Sequence, residues 1–350
     1  MFASSPARAW LAAATFSWAV LSPTAWAQVP PDCVDDPSTA TSVLTTCTPA
    51  GAADAGGQPS VAPGIGTTSD SSASAWAVLG EQAGLLTPQG VAVDLDGNVY
   101  VADTNNSRIV KLSASGQAVA WWGSEGSGAG QFDTPLGIAV DGQGSVYVAD
   151  TFNHRIQKLS STGEPLAQWG SEGTALGQFD TPFAVALDSQ GSIYVADTEN
   201  NRVQKLSPSG QPLAEWGSEG AGAGNFEHPS GLAIDSQGNI YVADTGNSRI
   251  VELSASGQFV GQWGTSGIGS GQFVSPVGLA VDAQGNVFVA DSDSQHVQKL
   301  STAGQPLQMW GARGNAPGQF DSPFALTLDA SGALYVADTR NNRIQKLLSS

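Results

Sequence analysis

The stretch Tyr147-Val148-Ala149-Asp150 decides the fold of this chain, because it recurs at a constant spacing. The same four residues, with one variant that begins with phenylalanine, start again at Tyr100, Tyr194, Tyr241, Phe288 and Tyr335. Each copy starts 47 residues after the one before, so six units fill the chain from about residue 75 to residue 350. A fixed period of this length indicates a supersecondary unit that buries its faces against copies of itself.

One unit contains four short apolar or mixed segments separated by glycine-rich turns. In the second copy we predict strands over residues 137–141, 145–149, 155–159 and 164–169. The first two are apolar on both faces, as expected for a sheet covered on both sides, and the last two are more polar, as expected for an outer rim. The unit is therefore a four-stranded antiparallel meander.

A tryptophan closes the fourth strand of five copies, and it has two readings. It could form a platform for carbohydrate, or it could pack one unit against the next, which we favour because a residue repeated in every full copy suits a shared structural role. These residues are Trp122, Trp169, Trp216, Trp263 and Trp310.

The two ends of the repeat region complement each other. The last copy stops after its third strand at Leu347, and residues 75–80 resemble the fourth strand that it lacks. We therefore predict an all-β fold: a six-bladed β-propeller of four-stranded antiparallel blades, closed by the N-terminal strand. The alternative is a linear solenoid, which would need polar caps at both ends.

The first 27 residues have the pattern of an export signal. Arg8 precedes an apolar run over residues 9–20, and Ala25-Trp26-Ala27 is a cleavage site of the small-x-small type. The apolar run is short for a membrane span, so we expect the signal to be cleaved. The mature protein is then secreted or periplasmic and has no membrane span. The alternative is that the signal is retained as a membrane anchor.

Residues 28–74 are rich in Pro, Ser, Thr, Ala and Gly, and we interpret them as a flexible leader before the repeat domain of residues 75–350. The leader holds the two cysteines of the chain, Cys33 and Cys47. In an oxidising compartment these most simply pair with each other, although two free thiols are the alternative.

The chain is strongly acidic. It has 13 Lys and Arg against 31 Asp and Glu, and since Arg8 is the one charged residue of the signal, the mature chain has a net charge of −19. Such a field repels polyphosphate backbones, so we expect no nucleic-acid partner. The acidic charge can also be explained without a ligand, because it keeps the protein soluble. We expect the protein to be a monomer.

The repeat resembles the NHL repeat. Each copy approaches the pattern Pro-x-Gly-[Val/Ile/Leu]-Ala-[Val/Ile]-Asp, then Gly-Asn-[Val/Ile]-Tyr-Val-Ala-Asp-Thr, then Asn-x-Arg-[Ile/Val]-Gln-Lys-Leu. The resemblance implies a six-bladed propeller but leaves the function open. NHL propellers include protein-interaction modules, RNA readers, extracytoplasmic sensor domains and peptide-amidating lyases.

The aspartate that ends the second strand is followed five residues later by an arginine in five copies. Opposite charges at this spacing can pair across a tight loop, although a ring of carboxylates could instead hold a cation. We favour the structural pairs, which are Asp103 with Arg108, Asp150 with Arg155, Asp197 with Arg202, Asp244 with Arg249, and Asp338 with Arg343. The fifth copy departs from the pattern with Asp291, Ser294 and His296.

The amidating lyases bind zinc through histidines from several blades, some directly after the proline that opens the first strand. That position holds Gln89, Leu136, Phe183, Ser230, Val277 and Phe324 in this chain. The three histidines, His154, His228 and His296, occupy different positions within their units. We therefore expect no metal site, no cofactor and no catalytic residue of this kind.

The long loops of a propeller share one face with the opening of its channel, so we place the binding surface there. We interpret the protein as a binding module for a protein, peptide or glycan; the alternative is a propeller enzyme of the lyase or lactonase type. The candidate ligand-face residues are Phe183, Phe324, Asp133, Asp180, Glu227 and Asp321.

Overall fold

The computed structural model describes residues 76–348. The predicted export signal, the predicted leader and the two cysteines lie outside these residues. The described chain forms six antiparallel four-stranded sheets. Within it, no helix has the length and hydropathy of a membrane span.

Each sheet is one blade, and the blades follow one another along the chain. The first two blades contain β2 (Pro88–Val93), β3 (Val99–Asp103), β4 (Arg108–Leu112) and β5 (Ala118–Trp122), then β6 (Pro135–Val140), β7 (Val146–Asp150), β8 (Arg155–Leu159) and β9 (Pro165–Trp169). The next two contain β10 (Pro182–Leu187), β11 (Ile193–Asp197), β12 (Arg202–Leu206) and β13 (Pro212–Trp216), then β14 (Pro229–Ile234), β15 (Ile240–Asp244), β16 (Arg249–Leu253) and β17 (Phe259–Trp263).

The fifth blade is regular, and the sixth takes its outer strand from the start of the described chain. They contain β18 (Pro276–Val281), β19 (Val287–Asp291), β20 (His296–Leu300) and β21 (Pro306–Trp310), then β22 (Pro323–Leu328), β23 (Leu334–Asp338), β24 (Arg343–Leu347) and β1 (Trp76–Leu79). Short 3-10 turns follow the second strand in four blades, at Thr104–Asn106, Thr151–Asn153, Thr245–Asn247 and Thr339–Asn341.

The predicted meander is confirmed, with shifts of one residue in the bounds of the second and fourth strands and a larger shift at the first. In the second blade this strand begins at Pro135 rather than at residue 137, because Pro135 pairs with Asp150 across a bulge. The second strand β7 is buried along its whole length, whereas β9 is largely exposed. The inner strands are thus covered on both faces, as their composition predicts.

The core is divided among the gaps between neighbouring blades. One cluster joins Tyr100 and Ile109 of the first blade to Val146 and Val148 of the second, and all four are buried. The cluster that contains Val101 and Tyr335 joins the first blade to the sixth. Since every blade contributes to the apolar clusters on both of its sides, no blade buries its faces without its neighbours.

The terminal tryptophans pack between blades, as we favoured. Trp169 stacks on Tyr147 of its own blade, with ring centroids 6.3 Å apart. On its other side it lies against Gly210 of the next blade, where an added Cβ would collide with the indole. Gly210 also has φ +81°, so glycine is required there for space and for backbone conformation.

Closure by the N-terminal strand is confirmed. Strand β1 pairs antiparallel with β24, and Leu79 lies opposite Ile344. In the first blade Ile109 lies opposite Trp122, so Leu79 takes the place of the terminal tryptophan. Trp76 instead contacts Phe320 edge to face, with centroids 5.3 Å apart.

A ring of hydroxyl hydrogen bonds also joins the blades. Thr151 Oγ1 donates to Pro182 O at 2.9 Å, and Thr339 Oγ1 donates to Pro88 O at 2.7 Å, which links the sixth blade to the first. The fifth blade has Ser292 at this position, and its hydroxyl bonds the Ser322 hydroxyl at 2.8 Å.

Removing β1 should destabilise the propeller, whereas removing the residues before it should not. A chain that begins at Glu81 loses the burial of Trp76 and Leu79 and exposes the edge of β24. We expect its free energy of unfolding to fall by about 3–6 kcal/mol relative to a chain that begins at Ser71. Urea denaturation of the two chains tests this, and equal midpoints would show that β1 does not close the ring.

Candidate functional site

The inner strands of the six blades surround a central cavity of about 290 Å³. Its wall consists of small and aliphatic side chains, together with a few polar ones such as Gln89, Ser230 and Thr327. The residues directly after the opening prolines lie at one end of this channel, which we call the mouth. Five of these residues line the cavity, namely Gln89, Phe183, Ser230, Val277 and Phe324, whereas Leu136 is buried away from it.

Two phenylalanines meet across the mouth. Phe183 belongs to β10 and Phe324 to β22, in blades that lie opposite each other in the ring. Their ring centroids are 5.5 Å apart, and both side chains are partly exposed. The pair narrows the mouth and presents an aromatic surface there, an arrangement suited to an apolar or cationic group.

Four acidic residues occupy equivalent positions just before the inner strands, beside the mouth. They are Asp133, Asp180, Glu227 and Asp321. The main-chain amide of each donates to the buried aspartate that ends the following second strand, at 2.6–2.8 Å. These bonds fix the backbone at the four acidic positions. Glu227 is exposed, and Asp133, Asp180 and Asp321 are partly exposed.

Their side chains have neighbours on the loops. Thr134 Oγ1 donates to Asp133 at 3.2 Å and Thr181 Oγ1 to Asp180 at 3.1 Å. Arg340 Nη1 lies 3.8 Å from Asp321.

Two histidines lie close to carboxylates on the same face. His154 Nδ1 is 3.5 Å from Asp180 Oδ1, and His228 Nε2 is 4.0 Å from Glu199 Oε2. The Glu199 amide donates to the Asp180 carbonyl at 3.2 Å, so the two pairs are neighbours. Burial raises the pKa of Glu199, and His228 opposes that shift.

Sequence reasoning treated these histidines as unrelated, because they occupy different positions in their repeats. The structure brings them toward each other, since the loop of one blade packs against the opening of the next. Within residues 76–348, however, no three His, Cys, Asp or Glu side chains are grouped so that they could hold a metal ion.

The repeated aspartates lie beneath the loops, and five of the six have their own arginine. Arg155 Nε donates to Asp150 Oδ2 at 2.7 Å, and the same distance is 2.6–2.7 Å in the four other Asp–Arg units. Asn153 and Gln157 also donate to Asp150. These buried carboxylates organise the loops and do not face the mouth.

The NHL repeat family matches the chain at residues 85–112, 132–159, 179–206, 226–253, 273–300 and 320–347. The repeats coincide with the first three strands of each of the six blades. The chain belongs to the NHL-repeat proteins. A comparison with curated protein sequences gives no match.

Solved structures share the fold of this NHL-repeat protein at low identity. A catalytically inactive virginiamycin B lyase from Staphylococcus aureus with quinupristin is 17% identical, with a TM-score of 0.56 over 79% of this chain and 85% of that one. A gluconolactonase from Xanthomonas campestris is 17% identical, with a TM-score of 0.56 over 75% and 86%. A Bacteroides thetaiotaomicron protein of unknown function is 19% identical, with a TM-score of 0.57 over 75% and 69%. Identities this low establish the propeller fold alone.

The fifth NHL repeat is built differently at its second-to-third-strand loop. Asp291 accepts from the Val274 amide at 2.9 Å, as the other repeated aspartates do from the matching amide, and in addition from the Ser275 amide at 2.9 Å. His296 takes the arginine position, and among the described residues its buried Nδ1 has no hydrogen-bond partner. Burial lowers the pKa of His296, while the charge of Asp291 opposes that shift.

Sequence reasoning also missed the left-handed residues before the opening prolines. Thr181 and His228 have φ +53° and +48°, although both precede a proline. Their amides donate to His154 Nδ1 at 3.2 Å and to Asn201 Oδ1 at 2.8 Å, on the preceding blade. No local pattern reveals these bonds, because donor and acceptor are 27 residues apart.

Acid should destabilise this protein through His296. Because the folded-state pKa lies below the unfolded one, His296 contributes stability above about pH 6.5 that is lost as the pH falls. Glu199 and Asp293, whose pKa values burial raises, act in the opposite direction. We therefore compare the wild type with His296→Gln.

The measured quantity is the free energy of unfolding between about pH 7.5 and pH 5.5. We expect it to fall by more in the wild type than in His296→Gln, because glutamine does not titrate. Parallel curves for the two proteins would contradict the assigned shift.

Proposed function

We propose that this NHL propeller is an exported recognition module whose long-loop face binds a neutral or basic protein segment. The observation that carries the proposal is the Phe183–Phe324 pair at the mouth, with centroids 5.5 Å apart, beside four acidic positions. Exposed aromatic surface beside carboxylates suits lysine or arginine side chains, through cation–π contacts and ion pairs.

Charge supports the same choice of partner. The mature chain has a net charge of −19 once the segment containing Arg8 is removed, so anionic partners meet repulsion. Loops held by buried Asp–Arg pairs support binding further, because a fixed backbone reduces the entropy lost when a partner binds.

A labelled octalysine peptide is a suitable probe for the mouth. We expect the double variant Asp180→Asn with Glu227→Gln to bind it roughly fivefold more weakly, since each exposed ion pair contributes about 0.2–1 kcal/mol. Fluorescence anisotropy at low salt gives the dissociation constants, and wild-type binding should weaken as salt rises.

The matched control removes two acidic charges from the opposite face, Asp96→Asn with Glu164→Gln, both exposed in short hairpin turns. We expect this variant to bind like the wild type. Equal weakening in both double variants would mean that the peptide senses net charge rather than the mouth.

An enzyme of the lyase or lactonase type is the second candidate. The observation that favours it is the contact of His228 Nε2 with Glu199 Oε2 at 4.0 Å. The neighbouring His154 does not add a second such pair, because its Nδ1 accepts from the Thr181 amide. An imidazole paired with a carboxylate can act as a general base. Turnover of gluconolactone or of a streptogramin B that disappears in His228→Gln, with folding retained, would favour this candidate over the first.

A further inference from the structure

In five blades an arginine follows the second strand and enters a slot built by the preceding loop. In the fourth blade, Arg249 Nε donates to Asp244 Oδ2 at 2.6 Å. The two terminal nitrogens donate to the carbonyl oxygens of Ala221 at 2.7 Å, Gly222 at 3.1 Å and Asn225 at 3.0 Å. The slot therefore offers one carboxylate and three carbonyl oxygens to a planar guanidinium.

The fifth blade keeps this loop without the arginine. The equivalent carbonyls belong to Ile268, Gly269 and Gln272. Gly267 N donates to Phe273 O at 3.0 Å and Gln272 N to Gly269 O at 3.0 Å, as Gly220 does to Phe226 and Asn225 to Gly222 in the fourth blade. The loop thus holds the same fold although no guanidinium supports it.

His296 does not replace the arginine. It makes no ion pair with Asp291 within 4.0 Å among the described residues, and its buried Nδ1 has no hydrogen-bond partner there. In that same part of the chain, no side chain donates to the carbonyl of Ile268 or of Gly269. The Gly269 carbonyl accepts from Gln272 N at 3.0 Å and the Gln272 carbonyl from Gln298 Nε2 at 2.7 Å. The guanidinium that also donates to the matching carbonyls in the second, third, fourth and sixth blades is absent here.

Charge favours a cation at this position, where Asp291 is itself fully buried and two neighbouring side chains reach solvent. The His296 side chain is partly exposed, and Met309, which stands where Gln262 accepts from Arg249, is 42% exposed. Asp293 adds a second carboxylate close to Asp291, and Arg340 is the cation that partly offsets it.

We propose that the fifth blade carries a binding slot for an external guanidinium group, formed by Asp291 and by the carbonyl oxygens of Ile268, Gly269 and Gln272. Arginine is favoured over lysine, because the planar fork of donors matches this set of acceptors and an ammonium does not. The source is either an arginine side chain of a partner or a small free guanidinium compound. The slot is separate from the mouth and does not depend on the function proposed for it.

Amide chemical shifts of the 264–275 loop in the full-length mature protein test the slot. Methylguanidinium should shift them saturably, and methylammonium at equal ionic strength should bind at least about tenfold more weakly, the equivalent of one charge-assisted hydrogen bond. An Arg-containing tripeptide and its Lys counterpart separate the two sources: saturation by methylguanidinium but not by the Arg peptide would restrict the slot to small compounds.

Two variants provide matched controls. His296→Arg fills the slot from within and should abolish the saturable shifts, whereas Arg249→His opens the equivalent slot in the fourth blade and should create them in the 217–228 loop. If Arg249→His does not fold, Arg202→His serves the same purpose in the third blade. Wild-type shifts that do not saturate, that methylammonium reproduces, or that persist in His296→Arg would overturn the proposal.

Discussion

The buried aspartate at the end of each second strand is the group on which the rest of each blade depends. Asp150 is fully buried and accepts from the amide of Asp133, from Asn153 and from Arg155. It therefore fixes the start of its own blade, the turn after its strand and, through Arg155, the carbonyls of the long loop. A buried charge is tolerated here because donors surround it, and removing them would leave it costly.

The fifth blade shows how the loop is held when the buried aspartate has no arginine partner. There the aspartate remains, but its arginine is replaced by His296. Asp291 keeps the bond from the Val274 amide that matches the Asp133 amide of the second blade, and it gains one from the Ser275 amide. The loop keeps its backbone hydrogen bonds. Because the six blades share one structure, the other five show which hydrogen bonds an arginine at position 296 would make.

The long-loop face and the channel differ in what they offer a ligand. The channel wall is largely aliphatic and closes toward the Phe183–Phe324 pair, whereas the loops around it present carboxylates and two imidazoles. The same scaffold supports binding proteins and enzymes, because the inner strands hold the mouth in place while the loop side chains vary.

The 47-residue period and the alternation of strands and glycine turns determined the six blades from the sequence, because these signals are local and repeated. The resemblance of residues 75–80 to the strand missing after Leu347 also located the closing strand. Its register was decided by the pairing with β24, which puts Leu79 rather than Trp76 in the position of the terminal tryptophan. Only the tertiary structure decided that Phe183 meets Phe324. It also decided that His154 lies close to Asp180 and that His228 lies close to Glu199. Such contacts join different blades, and the curvature of a closed ring, which no local pattern encodes, sets their distances.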